Sequence, residues 1–131
     1  MRPATRLAWG LLCAAFALGG CQRLSIEHKV ALSGVEPKQL DVDAPRYEQK
    51  VTVEVDSPGV PVFVYVVKTE DAEEAFRALV KEKEPQNALA GTQEKSEKVS
   101  LTATIPAKTA YSVLLRGVGG LGEATVRIKG Q

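Results

Sequence analysis

Valine occupies every second position from Val51 to Val55, with Lys50, Thr52, Glu54 and Asp56 between and beside them. Strict alternation sends all the apolar groups to one face of an extended chain and all the polar groups to the other. This pattern demands a half-buried strand over residues 49–56. The same period returns three more times. Val99, Leu101, Ala103 and Ile105 alternate with Ser100, Thr102 and Thr104. Tyr111, Val113 and Leu115 alternate with Ser112, Leu114 and Arg116, and Ala124, Val126 and Ile128 with Thr125, Arg127 and Lys129. Val60 to Val67 (VPVFVYVV) is apolar on both faces and rich in β-branched residues, which predicts a central strand, with Pro61 tolerated only near its start. Ser57-Pro58-Gly59 is a turn, Pro106 stops a strand, and Gly117 to Gly122 is a flexible hairpin loop. Residues 38–43, between Pro37 and Pro45, allow a short first strand with Leu40 and Val42 inward. Ala88 to Gln93 reads as an edge strand that Gly91 weakens.

One segment changes period. Between Thr69 and Lys81, Ala72, Ala75, Phe76, Leu79 and Val80 recur at the spacing of one helix face. Glu70, Asp71, Glu73 and Glu74 place negative charge where the helix dipole favours it, and Glu73 and Arg77 form an i,i+4 pair of favourable order. A helix this short persists only if its apolar face packs on something. Six to seven strands and one short helix inserted mid-domain predict an all-β chain, a small antiparallel β-sandwich. No repeat of solenoid or propeller length interrupts that plan.

The first twenty residues have a different character. Arg2 and Arg6 give a positive start, Leu7 to Leu18 is uncharged and mostly apolar, and Leu18-Gly19-Gly20-Cys21 follows. An apolar run of about 12 residues spans roughly 18 Å as a helix, short of the ~30 Å of a bilayer core, so it suits a removable export signal rather than a membrane span. Leu-Gly-Gly-Cys resembles the bacterial lipobox. That resemblance implies a diacylglyceryl group on the Cys21 sulfur, cleavage between Gly20 and Cys21, and acylation of the new amine. Cleavage after Ala15-Phe16-Ala17 is the competing pattern and would leave Cys21 near a soluble N-terminus. The expected organisation is a signal over 1–20, a lipidated Cys21 and tether over 21–47 with room for a first short strand, and the sandwich over 48–131. An exported protein is expected, held by lipid on the cell membrane or outer membrane, facing the periplasm or the surface.

Processing changes the inventory. Met1, Trp9, Cys13 and Phe16 leave with the signal, and Cys21 becomes the single cysteine, so an intramolecular disulfide or a thiolate metal cluster is excluded. Loss of Arg2 and Arg6 turns 17 basic against 16 acidic residues into an excess of one acid, a formal charge of −1 in place of +1. Such a chain has no electrostatic case for nucleic acid.

The strand order KVTVEVD, VPVFVYVV, VSLTATIP, AYSVLLRG and EATVRIKG, with its insertion after the second, resembles the pre-peptidase C-terminal domains and related jelly-roll modules of secreted bacterial proteins. The resemblance covers about Gln49 to Lys129. It implies an accessory module with no catalytic residues to carry over.

Candidate sites are few. Gly117 to Gly122 spells G-x-G-x-x-G, but a dinucleotide site needs a helix after that turn, and EATVRIK alternates as a strand. His28, the single histidine, stands in the expected tether without partner ligands or a nucleophile. Asp41, Asp43 and Asp56 are strand-end acids without a calcium-loop glycine. Phe63, Tyr65, Phe76 and Leu79 are expected to meet where the helix lies on the sheet, as core or as the lining of a pocket between helix 70–81 and the sheet. No metal, no cofactor and no catalytic set is assigned. The expected role is a non-enzymatic envelope lipoprotein presenting an interaction or structural module to an envelope partner. The alternative is a small-ligand carrier using that pocket.

Overall fold

A computed structural model describes residues 24–34 and 36–130. Within them, in chain order, are β1 (Leu24–Gly34), β2 (Lys38–Val42), β3 (Gln49–Asp56), β4 (Val62–Lys68), a 3-10 turn (Thr69–Asp71), α1 (Ala72–Val80), β5 (Ala90–Gly91), β6 (Lys98–Ile105), β7 (Tyr111–Gly117) and β8 (Gly120–Gly130). Two antiparallel four-stranded sheets result, one ordered β1-β8-β3-β6 and the other β2-β7-β4-β5. Apart from β4 and β5, strands adjacent in sequence lie in opposite sheets. The all-β sandwich with one short helix is therefore the observed architecture.

The period-two faces meet in the middle. Val51, Val53 and Val55 of β3, Val99, Ala103 and Ile105 of β6, and Ala124, Val126 and Ile128 of β8 face Val62, Val64 and Val66 of β4 and Tyr111, Val113 and Leu115 of β7 in one buried cluster. Each such side chain contributes about 1.5–3 kcal/mol when it leaves water. The opposite face of β4 and β7 is buried as well. Tyr65, Val67 and Leu114 form a second cluster with Ala72, Ala75 and Leu79 of α1. This double burial is why VPVFVYVV lacks a polar face. Asp71 precedes α1 without a side-chain cap hydrogen bond, so packing and the acidic first turn, rather than a cap, hold the helix start.

Within the segment expected to be a tether, residues 24–34 are instead a strand. β1 pairs with β8 from Leu24↔Gly130 to Gly34↔Gly120 and buries Val30 and Leu32. Its outer face adds a cross-strand pair, Arg127 Nε donating to Glu27 Oε1 at 2.8 Å. Residue 48 therefore does not mark the start of the folded unit. Gly20 and Cys21, the expected cleavage and lipidation residues, lie outside the described residues.

The glycines of the G-x-G-x-x-G stretch have a packing role. Gly117 ends β7, Val118 and Gly119 form the turn, and Gly120 opens β8, with Gly119 at φ 73°. A Cβ at Gly122 would stand 2.8 Å from Val60 Cγ2, and one at Gly117 3.3 Å from Val60 Cγ1. The Val60 side chain needs that bare backbone. The expected flexible hairpin loop is instead a tight crossing from β7 in one sheet to β8 in the other, closed over a buried valine.

Tyr111 lies fully within the core, and its hydroxyl has no hydrogen-bond partner. Burial pushes its pKa up to about 12. The folded state holds this proton more tightly than the unfolded chain, whose tyrosine titrates near 10, so stability is complete below about pH 10 and declines as pH rises towards about 12. Tyr111→Phe removes an unsatisfied hydroxyl. Urea melts at neutral pH are expected to show unchanged or raised stability, by about 1 kcal/mol, with a shallower loss of stability above pH 10. A loss above about 2 kcal/mol at neutral pH would show that the hydroxyl is bonded after all.

Candidate functional site

The face of the second sheet that carries α1 holds most of the irregular chemistry. Helix and sheet meet there through Leu79, Ala75 and Ala72 against Tyr65, Val67 and Leu114. Tyr65 and Leu79 are buried, whereas Phe63 and Phe76 are half-buried and packed against the same cluster. The four sequence-predicted residues are brought into one cluster, but they do not line one cavity. Side chains fill the space between the helix and the sheet at Tyr65 and Leu79. Burial raises the Tyr65 pKa, helped by Glu84 and opposed by Arg116.

Depressions open at the margins of this packing. Phe76 borders one together with Gln39, Thr69, Ala72, Glu73 and Arg77. Phe63 borders another with Arg116, Glu82, Glu94, Lys95 and Val118. A third, of about 190 Å³, lies between α1 and residues 83–87 and reaches Val67 of β4. In the Phe63 depression the Arg116 guanidinium sits 4.9 Å from the ring centroid, a cation–π contact. Its side chain is 11% exposed, with Nη1 3.9 Å from Glu82 Oε1 and a buried Nε that has no partner. Arg116 alternates with inward residues of β7, so its outward position was legible, but its stacking on Phe63 depends on the β4–β7 register, Phe63↔Arg116.

Beside the start of α1 runs a short polar chain. Ser112, fully buried on β7, donates from Oγ to Asp41 Oδ1 at 2.6 Å, and Gln39 Nε2 donates to the same oxygen at 2.8 Å. Thr69 Oγ1 lies 3.1 Å from Ser112 Oγ. The bonds from Gln39 and Ser112 hold the Asp41 carboxyl below its ordinary pKa. This chain satisfies a buried serine. Ser112 is fully buried, so its hydroxyl does not face a substrate, and His28 lies exposed on β1 in the other sheet. Asp41 is in one sheet and Asp56 in the other, so the strand-end acids do not assemble. Among the described residues no group of three or more His, Cys, Asp and Glu side chains could hold a metal ion.

No family model matches the chain, and no curated protein sequence matches it. Solved structures do resemble it. PliG from Aeromonas hydrophila, a periplasmic lysozyme inhibitor of g-type lysozyme, matches with TM-score 0.56 at 11% identity over 86% of this chain and 90% of that one. The pre-peptidase C-terminal domain of a collagenase from Bacillus anthracis matches with TM-score 0.55 at 11% identity over 81% and 88%. A mitogen derived from Yersinia pseudotuberculosis follows with TM-score 0.51 at 3% identity over 80% and 84%. At these identities the likeness is one of fold, and the chain shares the sandwich architecture of PliG and of a pre-peptidase C-terminal domain.

Proposed function

We propose that this chain is an exported lipoprotein whose sandwich works by binding a protein of the cell envelope rather than by catalysis. The observation that carries the reading is Leu18-Gly19-Gly20-Cys21 directly behind a short apolar run with a positive start. The fold supports it. Tyr65, Val67 and Leu114 pack directly against Ala72, Ala75 and Leu79 of the helix, and the similar PliG is named as an inhibitor of an enzyme, a task performed by binding another protein. The pre-peptidase C-terminal likeness points the same way, towards an accessory module of exported proteins.

The anchor has a direct test. Each buried acyl methylene contributes about 0.8 kcal/mol, so several chains on one residue hold a protein durably. Mass spectrometry of the native N-terminal peptide is expected to find Cys21 as the first residue with acyl mass attached. Cys21→Ser is expected to abolish that mass and move the protein out of the mature membrane-bound pool, leaving precursor or released chain. Unchanged size and membrane partition in the variant would refute the anchor. The partner is tested by cross-linking the lipidated protein in whole cells. A reproducible heteromeric product supports the reading, and a free monomer under all growth conditions counts against it.

A further inference from the structure

Every strand that starts or stops beside Leu24 marks the same end of the sandwich. Leu24 pairs with Gly130, and Gly130 with Val51. Gln49 pairs with Ile105, and Val42 and Lys68 both pair with Tyr111. Two loops close this end, residues 43–48 and 106–110. They are tied together by Lys108 N–H donating to Pro45 O at 2.7 Å, with Lys108 at φ 58°. The loop 43–48 carries Tyr47, whose side chain is 68% exposed, with Arg46, Glu48 and Asp43 beside it. Tyr47 is the one large aromatic group among the exposed hydrophobic residues described.

We infer that this end of the sandwich, with Tyr47 at its tip, rests on the phospholipid headgroups of the membrane that holds Cys21. The inference rests on the lipid anchor proposed above and adds the orientation of the domain. Its physical basis is length. The sheet begins at Leu24, three residues beyond Cys21. At 3.3–3.6 Å per residue, fully extended chain can separate those two Cα atoms by about 11 Å at most. The headgroup layer on one side of a bilayer is itself about 5–8 Å deep. A strand tied this closely cannot stand off the surface as a domain on a long tether does. An exposed tyrosine suits headgroup depth, because its ring is apolar and its hydroxyl remains in water. The neighbouring charges of both signs suit phosphate and amine groups. The opposite end, where β8 opens with the 81% exposed Leu121, then points away from the membrane.

The mature chain carries a single cysteine, which the lipid occupies, so introduced thiols label selectively. The full chain is produced in cells with Tyr47→Cys, Ala107→Cys or Ser33→Cys, purified with its lipid, and placed in phosphatidylcholine–phosphatidylglycerol vesicles. Ser33 lies nine residues along β1 from Leu24, about 30 Å away at strand rise. Fluorophores at 47 and 107 are expected to be quenched several-fold more by a headgroup-bound quencher than one at 33. Equal quenching at all three positions, with acyl mass confirmed on Cys21, overturns the orientation and leaves the anchor standing. Absence of acyl mass on Cys21 removes both.

Discussion

Joining Cys21 and its flanking residues directly to Glu36, without β1, is expected to abolish cooperative folding of the domain. If residues 22–36 were a tether, the same deletion would leave stability untouched, so the two outcomes are far apart. β1 supplies Val30 and Leu32 to the core, each contributing about 1.5–3 kcal/mol through burial. It is also the neighbour of β8 along all eleven residues of both strands. β3 pairs with β8 only from Thr125 to Gly130. Residues 120–124 of β8 would therefore lose their ladder partner, and buried Ala124 would be uncovered beside them. A domain of this size has a net stability of about 5–15 kcal/mol, and losing an edge strand with two core residues and a full ladder exceeds most of it. Urea unfolding followed by far-ultraviolet circular dichroism checks this. A cooperative transition within about 1 kcal/mol of the intact chain would show that β1 is dispensable.

Why β1 escaped the sequence reading is instructive. Leu24, Ile26, Val30 and Leu32 do alternate with Ser25, Glu27, Lys29, Ala31 and Ser33. The exception is His28, which occupies the inward register yet stands exposed, and one polar residue in that position breaks the visual period. Position also misled: a segment just after an expected lipidation site invites the reading of a tether. By contrast, β3 spans residues 49–56 as its three valines require, and β6, β7 and β8 follow their alternating runs. There the local pattern and the tertiary environment agree, since each strand has one face on the core and one face towards water or the helix. β4 was legible for a different reason. A run apolar on both faces needs cover on both sides, and the helical insertion directly after it supplies the second cover.

The candidate site was legible only in part. Phe63, Tyr65, Phe76 and Leu79 were expected together, and the second cluster unites them because the helix period and the outward face of β4 meet. Whether they would enclose space could not be read from spacing, since it depends on how closely α1 approaches the sheet. Alanines at 72 and 75 allow the close approach, and Leu79 then fills the gap. The Ser112–Asp41–Gln39 chain was invisible for another reason. It joins β2 to β7 across 71 residues of sequence, and only the Asp41↔Ser112 register brings the two groups together.

That close approach makes Leu79 the residue on which the helix depends. Leu79→Ala is expected to destabilise the domain by about 3 kcal/mol, within the 2–5 kcal/mol range for truncating a buried leucine, because the neighbouring Tyr65, Val67 and Leu114 on two rigid strands cannot collapse into the vacated volume. The adjacent Val80 is 57% exposed on the outer side of α1, and Val80→Lys near the helix C-terminus is expected to change stability by no more than about 0.5 kcal/mol. The contrast between neighbours separates burial from helix propensity, since both positions lie in the last turn. It also decides between the two roles considered for this face. A pocket that waits for a ligand has its wall already solvated, so shortening Leu79 would cost little stability and enlarge the site. A sealed seam loses its packing at once. Chemical denaturation of both variants measures the difference, and a loss below about 1 kcal/mol for Leu79→Ala would return the carrier reading to favour.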